Sequence, residues 1–244
     1  MVFAAVLAGG VGNRMGANTP KQYLKVGGEP ILSRSVEKFV RDPVFEHVVV
    51  LTPEDWTQYT RDLLAESLGE TDRLTILAGG ETRNDTLTIA LRYLEHTYGL
   101  TEDTILVTHD AVRPFVTRRI LAENIAAARR VGACGTAIPA TDTILVSGDG
   151  EHIERIPDRS ELYQMQTPQS FQAKKLLRLM ESLTESEKKT LTDGCKIFTL
   201  KGEPVALVEG EVFNIKITYP FDLKVGETIA AAGLDEPETE RSHS

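Results

Sequence analysis

Residues Val2 to Ala8 form an unbroken apolar run that stops in Gly9-Gly10-Val11-Gly12. A run without polar alternation reads as a parallel strand covered on both faces. Glycines directly behind such a strand let the chain turn tightly and bring backbone N–H groups against a phosphate. A sheet buried on both faces needs helices on both sides, and the chain supplies them. His47–Thr52, Leu74–Ala78, Thr104–Thr108 and Gly135–Pro139 are further strand-type runs. Between them apolar residues recur at helical spacing: Ile31, Leu32, Val36, Phe39 and Val40 behind Pro30, which suits a first helical position; then Leu87, Ala90, Leu91 and Leu94; then Ile120, Leu121, Ile125 and Ala128.

Strict alternation of strand and helix predicts an α/β fold, a Rossmann-like three-layer sandwich with a mostly parallel sheet. Past residue 140 the pattern changes. Thr141–Val146 and His152–Ile156 flank Ser147-Gly148-Asp149-Gly150, which predicts a β-hairpin arm at about 140–158 protruding from the main sheet. A helix over Ala173–Leu183 precedes three short β-like runs, Ile197–Leu200, Val205–Val208 and Phe213–Thr218, and Phe221–Ala231 reads as a closing helix. With no repeat and no linker, residues 1–233 are expected to form one domain, followed by a loose tail over 234–244. The length, 244 residues, is enough for one large core.

Charge narrows the partners. Lys plus Arg is 27 against 36 Asp plus Glu, a formal charge of −9, which argues against a broad basic face for nucleic acid while permitting a local anion pocket. No apolar run approaches the ~20 residues of a membrane span. Met1–Gly10 lacks the basic start of a signal peptide, so a cytoplasmic protein is expected. Cys134 and Cys195 match no metal spacing and predict no disulfide framework.

The glycine turn fits neither familiar phosphate loop. A dinucleotide fingerprint would need glycine where Met15 stands, and there is no Gly-Lys-Ser/Thr ending for an ATPase-type loop. On glycines alone, a ligand-free tight turn is an equal reading. Arg14 and Lys21, flanking Pro20, tip the balance. Two cations beside a glycine loop suit a phosphorus centre under attack, whose oxygens gather negative charge.

At this point a resemblance becomes specific. Leu7-Ala8-Gly9-Gly10-x-Gly12-x-Arg14-Met15-Gly16 followed by Pro20-Lys21-Gln22 resembles the signature loop of the sugar-phosphate nucleotidyltransferases, in their cytidylyltransferase branch. Gly79-Gly80-Glu81-Thr82-Arg83-Asn84, Thr108-His109-Asp110-Ala111-Val112-Arg113-Pro114, Gln166-Thr167-Pro168-Gln169 and Asn214-Ile215-Lys216-Ile217-Thr218 agree with it. That branch holds enzymes making CDP-methylerythritol for isoprenoids and enzymes making CDP-ribitol for teichoic-acid or capsule polymers of the cell wall. Leu191-Thr192-Asp193-Gly194-Cys195-Lys196-Ile197-Phe198, together with Tyr163-Gln164-Met165-Gln166 and Thr108-His109-Asp110, is similar to the D-ribitol-5-phosphate cytidylyltransferases, which puts ribitol phosphate first and 2-C-methyl-D-erythritol 4-phosphate second.

The resemblance implies roles. Arg14 and Lys21 would stabilise the transition state. Leu7, Ala8, Gly9, Gly10, Gly12, Gly80, Glu81, Arg83, Thr86, Arg113 and Thr167 would bind the nucleotide. Glu81 and Thr86 depart from the aspartate and serine common in the family, which puts their side-chain contacts in doubt. Asp110, with Asn214, would contact Mg²⁺, and His109 reads as structural. Thr143, Arg159, Thr192 and Lys216 would bind the acceptor. The arm would embrace a second copy in a homodimer, donating Arg159 and Thr143 in trans. Partners are then CTP and a sugar-alcohol phosphate. A catalytically dead nucleotide-binding scaffold is the reading from another class, opposed by the presence of Arg14, Lys21 and Asp110. A dinucleotide oxidoreductase fails on the glycine spacing, and no His/Asp cluster supports metal-dependent hydrolysis.

Overall fold

In the computed structural model, residues 1–10 and 19–235 are described. Strands β1 (Val2–Leu7), β4 (His47–Thr52), β5 (Leu74–Ala78) and β6 (Ile105–Asp110) lie parallel in the order β5-β4-β1-β6, and the sheet continues β8-β7-β9. Here β7 is Ala133–Pro139, β8 Tyr163–Gln172 and β9 Ala206–Glu209; β8 runs antiparallel to both β6 and β7, while β9 is parallel to β7. The remaining strands, β2 (Lys25–Val26) and β3 (Glu29–Pro30), form a minimal hairpin. Its two turn residues, Gly27 and Gly28, have φ of 62° and 80°, a pair of left-handed positions that suits glycine.

The α-helices are α1 (Ile31–Val40), α2 (Thr57–Leu68), α3 (Arg83–Tyr98), α4 (Arg118–Val131), α5 (Ala173–Glu181), α6 (Glu185–Lys188), α7 (Gly194–Leu200) and α8 (Pro220–Ala231), with short 3-10 turns at Lys21–Tyr23, Glu54–Trp56 and Arg159–Glu161. Strand alternation splits the core. Ala4 and Val6 of β1 pack with Val36 and Phe39 of α1 and Ile120 and Ile125 of α4, whereas Phe3 and Ala5 face Leu87, Leu91 and Leu94 of α3 and Phe198 of α7. The result is the expected helix–sheet–helix layering. A third cluster of Val26, Ile31, Phe115, Ile217 and Ile229 ties α8 to the base of the hairpin.

Several expectations change. Pro30 lies one residue ahead of α1, as the last residue of β3, where its φ of −58° leads the chain into the helix. The run Ile197–Leu200 is helical: Asp193 accepts the Lys196 amide through its side chain (3.1 Å) and starts α7, and burial of 194, 195, 197 and 198 follows a helix period. Phe213–Thr218 forms no strand, Phe213 lying in a turn; Ile217 N–H donates to Val112 O at 2.9 Å. Over residues 140–158, where an arm is expected, the strand structure is limited to a single bridge between Val146 and Arg155. At the chain end, Asp235 is buried and meets Lys38 at 2.8 Å and Arg34 at 3.1 Å, so the segment after Gly233 begins anchored on α1. Residues 236–244 lie outside the described set.

Candidate active site

The carboxyl ends of parallel strands are where open α/β sheets receive ligands, at the point where strand order reverses. That point is β1, flanked by β4 and β6. Leu7 at its end pairs with Asp110 at the end of β6, and the two form one wall of a cleft of about 300 Å³. The floor and sides are Ala8, Gly9, Gly10, Lys21, Gly80, Glu81, Arg83, Thr86 and Lys216, all anticipated, joined by Gln22, Thr82 and Val112.

Gln22 donates from Nε2 to Ala8 O at 2.7 Å, which ties the Pro20-Lys21-Gln22 turn to the end of β1. Tyr23 anchors the next residue: its hydroxyl lies 2.8 Å from the hydroxyls of both Thr52 and Thr60, and its ring stacks on Trp56. Lys21 is therefore carried on a turn pinned at two neighbouring positions. Gly9 and Gly10 have neither a positive φ nor, among the described residues, any atom within 4 Å of where a Cβ would stand. Backbone strain does not demand glycine there; the space in front of them is open cleft.

On the opposite side, α3 presents its N-terminus. Thr82 and Asp85 form a reciprocal cap, each side chain accepting the other's amide at 3.1 Å. The Thr86 hydroxyl accepts from Gly80 N–H at 3.1 Å and donates to Thr82 O at 2.9 Å. Thr86 thus serves the loop's own hydrogen bonding. Gly80 is required by contact, since a Cβ would sit 2.4 Å from the Asp85 Cβ.

Asp110 is the electrostatic centre. Arg83 Nη1 approaches Oδ1 at 2.6 Å, Lys216 Nζ approaches Oδ2 at 2.8 Å, and Arg113 Nε lies 3.8 Å from Oδ2. Burial alone would raise its pKa, but Arg83, Lys216 and Arg113 overcome that and hold the carboxyl well below the usual range. The same burial lowers the Arg113 pKa and pushes the His109 imidazole down to about 4, so His109 is neutral at pH 7. Arg83, expected to bind the nucleotide, lines the cleft and also bridges α3 to the end of β6.

Arg113 and Thr167 stand behind Asp110, not in the lining. Arg113 Nη1 donates to Asn214 O at 2.8 Å, and Thr167 Oγ1 accepts Asp110 N–H at 3.1 Å. Asn214 donates from Nδ2 to Gln166 Oε1 and Thr167 O, while its buried Oδ1 has no hydrogen-bond partner. An ionised carboxylate and an unpartnered amide oxygen are hard oxygen donors of the type magnesium takes beside phosphate and water, Asp110 lining the cleft and Asn214 buried behind it. Thr143, Arg159 and Thr192 are exposed and do not line the cleft; Arg159 donates to Thr141 O at 3.1 Å within the arm. Arg14 and Gly12 lie outside the described residues. Gln22, Thr82 and Val112 were missed as lining residues although each sat inside a recognised motif.

Comparison with known proteins bears on this cleft. The chain matches solved 4-diphosphocytidyl-2C-methyl-D-erythritol synthase from Anaerococcus prevotii at 25% identity and a TM-score of 0.79, over 95% of this chain and 96% of that one. The 2-C-methyl-D-erythritol 4-phosphate cytidylyltransferase of Thermus thermophilus is similar at 28% identity and TM-score 0.70, over 95% and 100%. The Francisella tularensis enzyme of the same name, at 24% identity and TM-score 0.76 over 93% and 98%, shares the fold. A family model spans almost the whole described chain, residues 2–232. The chain therefore belongs to the IspD family, 2-C-methyl-D-erythritol 4-phosphate cytidylyltransferase, and is a CTP-using nucleotidyltransferase.

Proposed function

We propose that this protein joins the cytidylyl group of CTP to the phosphate of a five-carbon sugar alcohol, releasing pyrophosphate. The observation that carries the reading is the Asp110 cluster, a carboxylate with three cations around it at the lip of the glycine turn. An acceptor phosphate oxygen attacks the α-phosphorus, the bond to the β-phosphate oxygen breaks, and no proton needs to move. The protein must then hold two mutually repelling anions in line and neutralise the charge that builds between them. Lys21 on its pinned turn, with Arg14, is assigned to that charge; Gly9, Gly10 and the Gly80 loop present backbone to the nucleotide; Lys216 and Arg83 are placed to exchange Asp110 for incoming phosphates. Asp110 and Asn214 would hold magnesium, which supplies positive charge to the triphosphate. The IspD family generally depends on a divalent metal.

For the acceptor, the family match and the names of the similar structures favour 2-C-methyl-D-erythritol 4-phosphate over the ribitol phosphate that the sequence put first. The segment behind that preference packs away from the cleft: a Cβ on Gly194 would meet Phe171 Cζ at 2.5 Å, and Cys195 is buried. D-ribitol 5-phosphate remains the second reading, supported by the resemblance of that segment and of Tyr163-Gln164-Met165-Gln166 and Thr108-His109-Asp110. Pyrophosphate release from CTP and Mg²⁺, measured in parallel with the two acceptors, separates them. Preference for methylerythritol phosphate supports the first reading and preference for ribitol phosphate the second; CTP binding without turnover of either points to a scaffold.

The acceptor side is completed by a second copy. Thr143 stands on the arm and Arg159 directly after it, and the arm's single bridge is too little pairing to be stable alone. Ile153 and Ile156 on it are about 60% exposed, surface that a partner would cover. Homodimerisation through the arm, with both residues donated in trans, accounts for these features together.

A further inference from the structure

We infer that His109 is a positioning residue for the transfer, fixing the Asp110 turn through a directed hydrogen-bond relay; the inference rests on the reading that Asp110 faces the reacting phosphates. His109 Nε2 lies 2.9 Å from Arg113 O, and its Nδ1 lies 3.1 Å from Thr167 Oγ1. A carbonyl oxygen only accepts, so Nε2 carries the ring proton. Thr167 Oγ1 already accepts Asp110 N–H at 3.1 Å, so its own O–H is directed at Nδ1, which accepts that hydrogen bond. Every polarity in the chain from Asp110 N–H to Arg113 C=O is thus determined, and no member can reverse without orphaning another.

The location gives the relay its consequence. Arg83, Lys216 and Arg113 pull on the Asp110 carboxylate from three different parts of the chain, so the backbone beneath it must resist. The relay grips that backbone at Asp110 N–H and at Arg113 C=O, the two ends of one turn. Thr167 also accepts Asn214 Nδ2 at its carbonyl (2.9 Å), so a single residue ties both candidate magnesium donors to the relay. His109 and Thr167 are buried, which denies them water as a substitute partner, and the His109 ring packs 5.3 Å from that of Phe39.

The relay is read directly by nitrogen-15 NMR of the chain's five histidines. One buried imidazole is expected as the neutral Nε2–H form, and Thr167→Val should move its Nδ1 resonance alone. A Nδ1–H tautomer for His109, or no response to Thr167→Val, overturns the relay whether or not the proposed acceptors are turned over. Kinetics then test positioning. His109→Phe, which keeps the ring and removes both nitrogens, should lower kcat by roughly 10–100-fold with KM for CTP little changed, as outer-shell partners of a metal or phosphate site do. Thr167→Ser should retain most of the activity that Thr167→Val loses. Wild-type kcat in His109→Phe, or a loss matched by an equal loss of folded protein, overturns it. If His109→Phe fails to fold, the Thr167→Ser and Thr167→Val pair decides.

Discussion

Glycine at positions 9 and 10 illustrates how one residue type answers different demands. Gly27 and Gly28 are there for their positive φ and Gly80 for the backbone it touches, but Gly9 and Gly10 meet neither condition. What their missing side chains leave open is cleft. Gly10→Ala should therefore leave the melting midpoint nearly unchanged, within about 0.5 kcal/mol as for a surface substitution. The same change should weaken CTP binding several-fold in a calorimetric titration. A stability loss without a binding loss would move the nucleotide elsewhere. The motifs carried most of this cleft's lining in advance because a glycine turn and a polar strand end are conspicuous against apolar strands. Thr86 was harder to read, since its hydroxyl is spent on the Gly80 loop, which only coordinates reveal.

Among elements, the parallel strands were legible because burial on both faces leaves an uninterrupted apolar signature. β8 was not. Its sequence, Tyr163 to Gln172, is rich in glutamine and contains Pro168, yet it lies in the middle of the sheet. From Gln166 to Ser170 its polar side chains are buried and tie other segments to the strand: Gln166 donates to Glu211 O, Thr167 serves Asp110, and Gln169 accepts the Gly194 amide. Polar content that normally marks a loop here marks a buried network. The helix α7 was misread for a different reason: Ile197 and Phe198 have β-type character, and the Asp193 cap outweighs it. Gly194 of that helix sits against Phe171, so Gly194→Ala forces a side chain into an occupied space. It should cost about 1–3 kcal/mol, as overpacking does, read as a lower urea midpoint. The ratio of activities on the two acceptors should stay unchanged, because Gly194 does not line the cleft.

At the level of the whole molecule, the two thiols and the arm make opposite predictions about access. Cys134 and Cys195 face opposite sides of the sheet, each in its own core cluster. Burial pushes the Cys134 thiol up to about 12 and the Cys195 thiol higher still, so at pH 8 both are protonated and enclosed. A disulfide reagent should titrate neither thiol in the native protein and both in denaturant. The arm is exposed and should be shared. Mixing inactive Arg14→Ala chains with inactive Arg159→Ala chains should restore activity, since one kind of mixed site escapes both substitutions. Failure to recover activity under conditions where subunits exchange would place Arg159 in the site of its own chain.

The position of β8 between β6 and β7 also bears on how the chain is made. A ribosome releases β7 before β8, yet β8 must occupy the place beside β6 that β7 would otherwise take. Lys216 follows Asp110 by more than a hundred residues, roughly 5–20 s of synthesis at ordinary speeds. Until β8 is released, the sheet can grow in order only as far as β6. Strand β7 cannot take its final place until β8 is available to stand between it and β6, and β9 pairs only with β7 beyond that. A nascent chain halted at residue 160 would thus present β6 as an open sheet edge, the form in which this protein is most exposed to wrong partners.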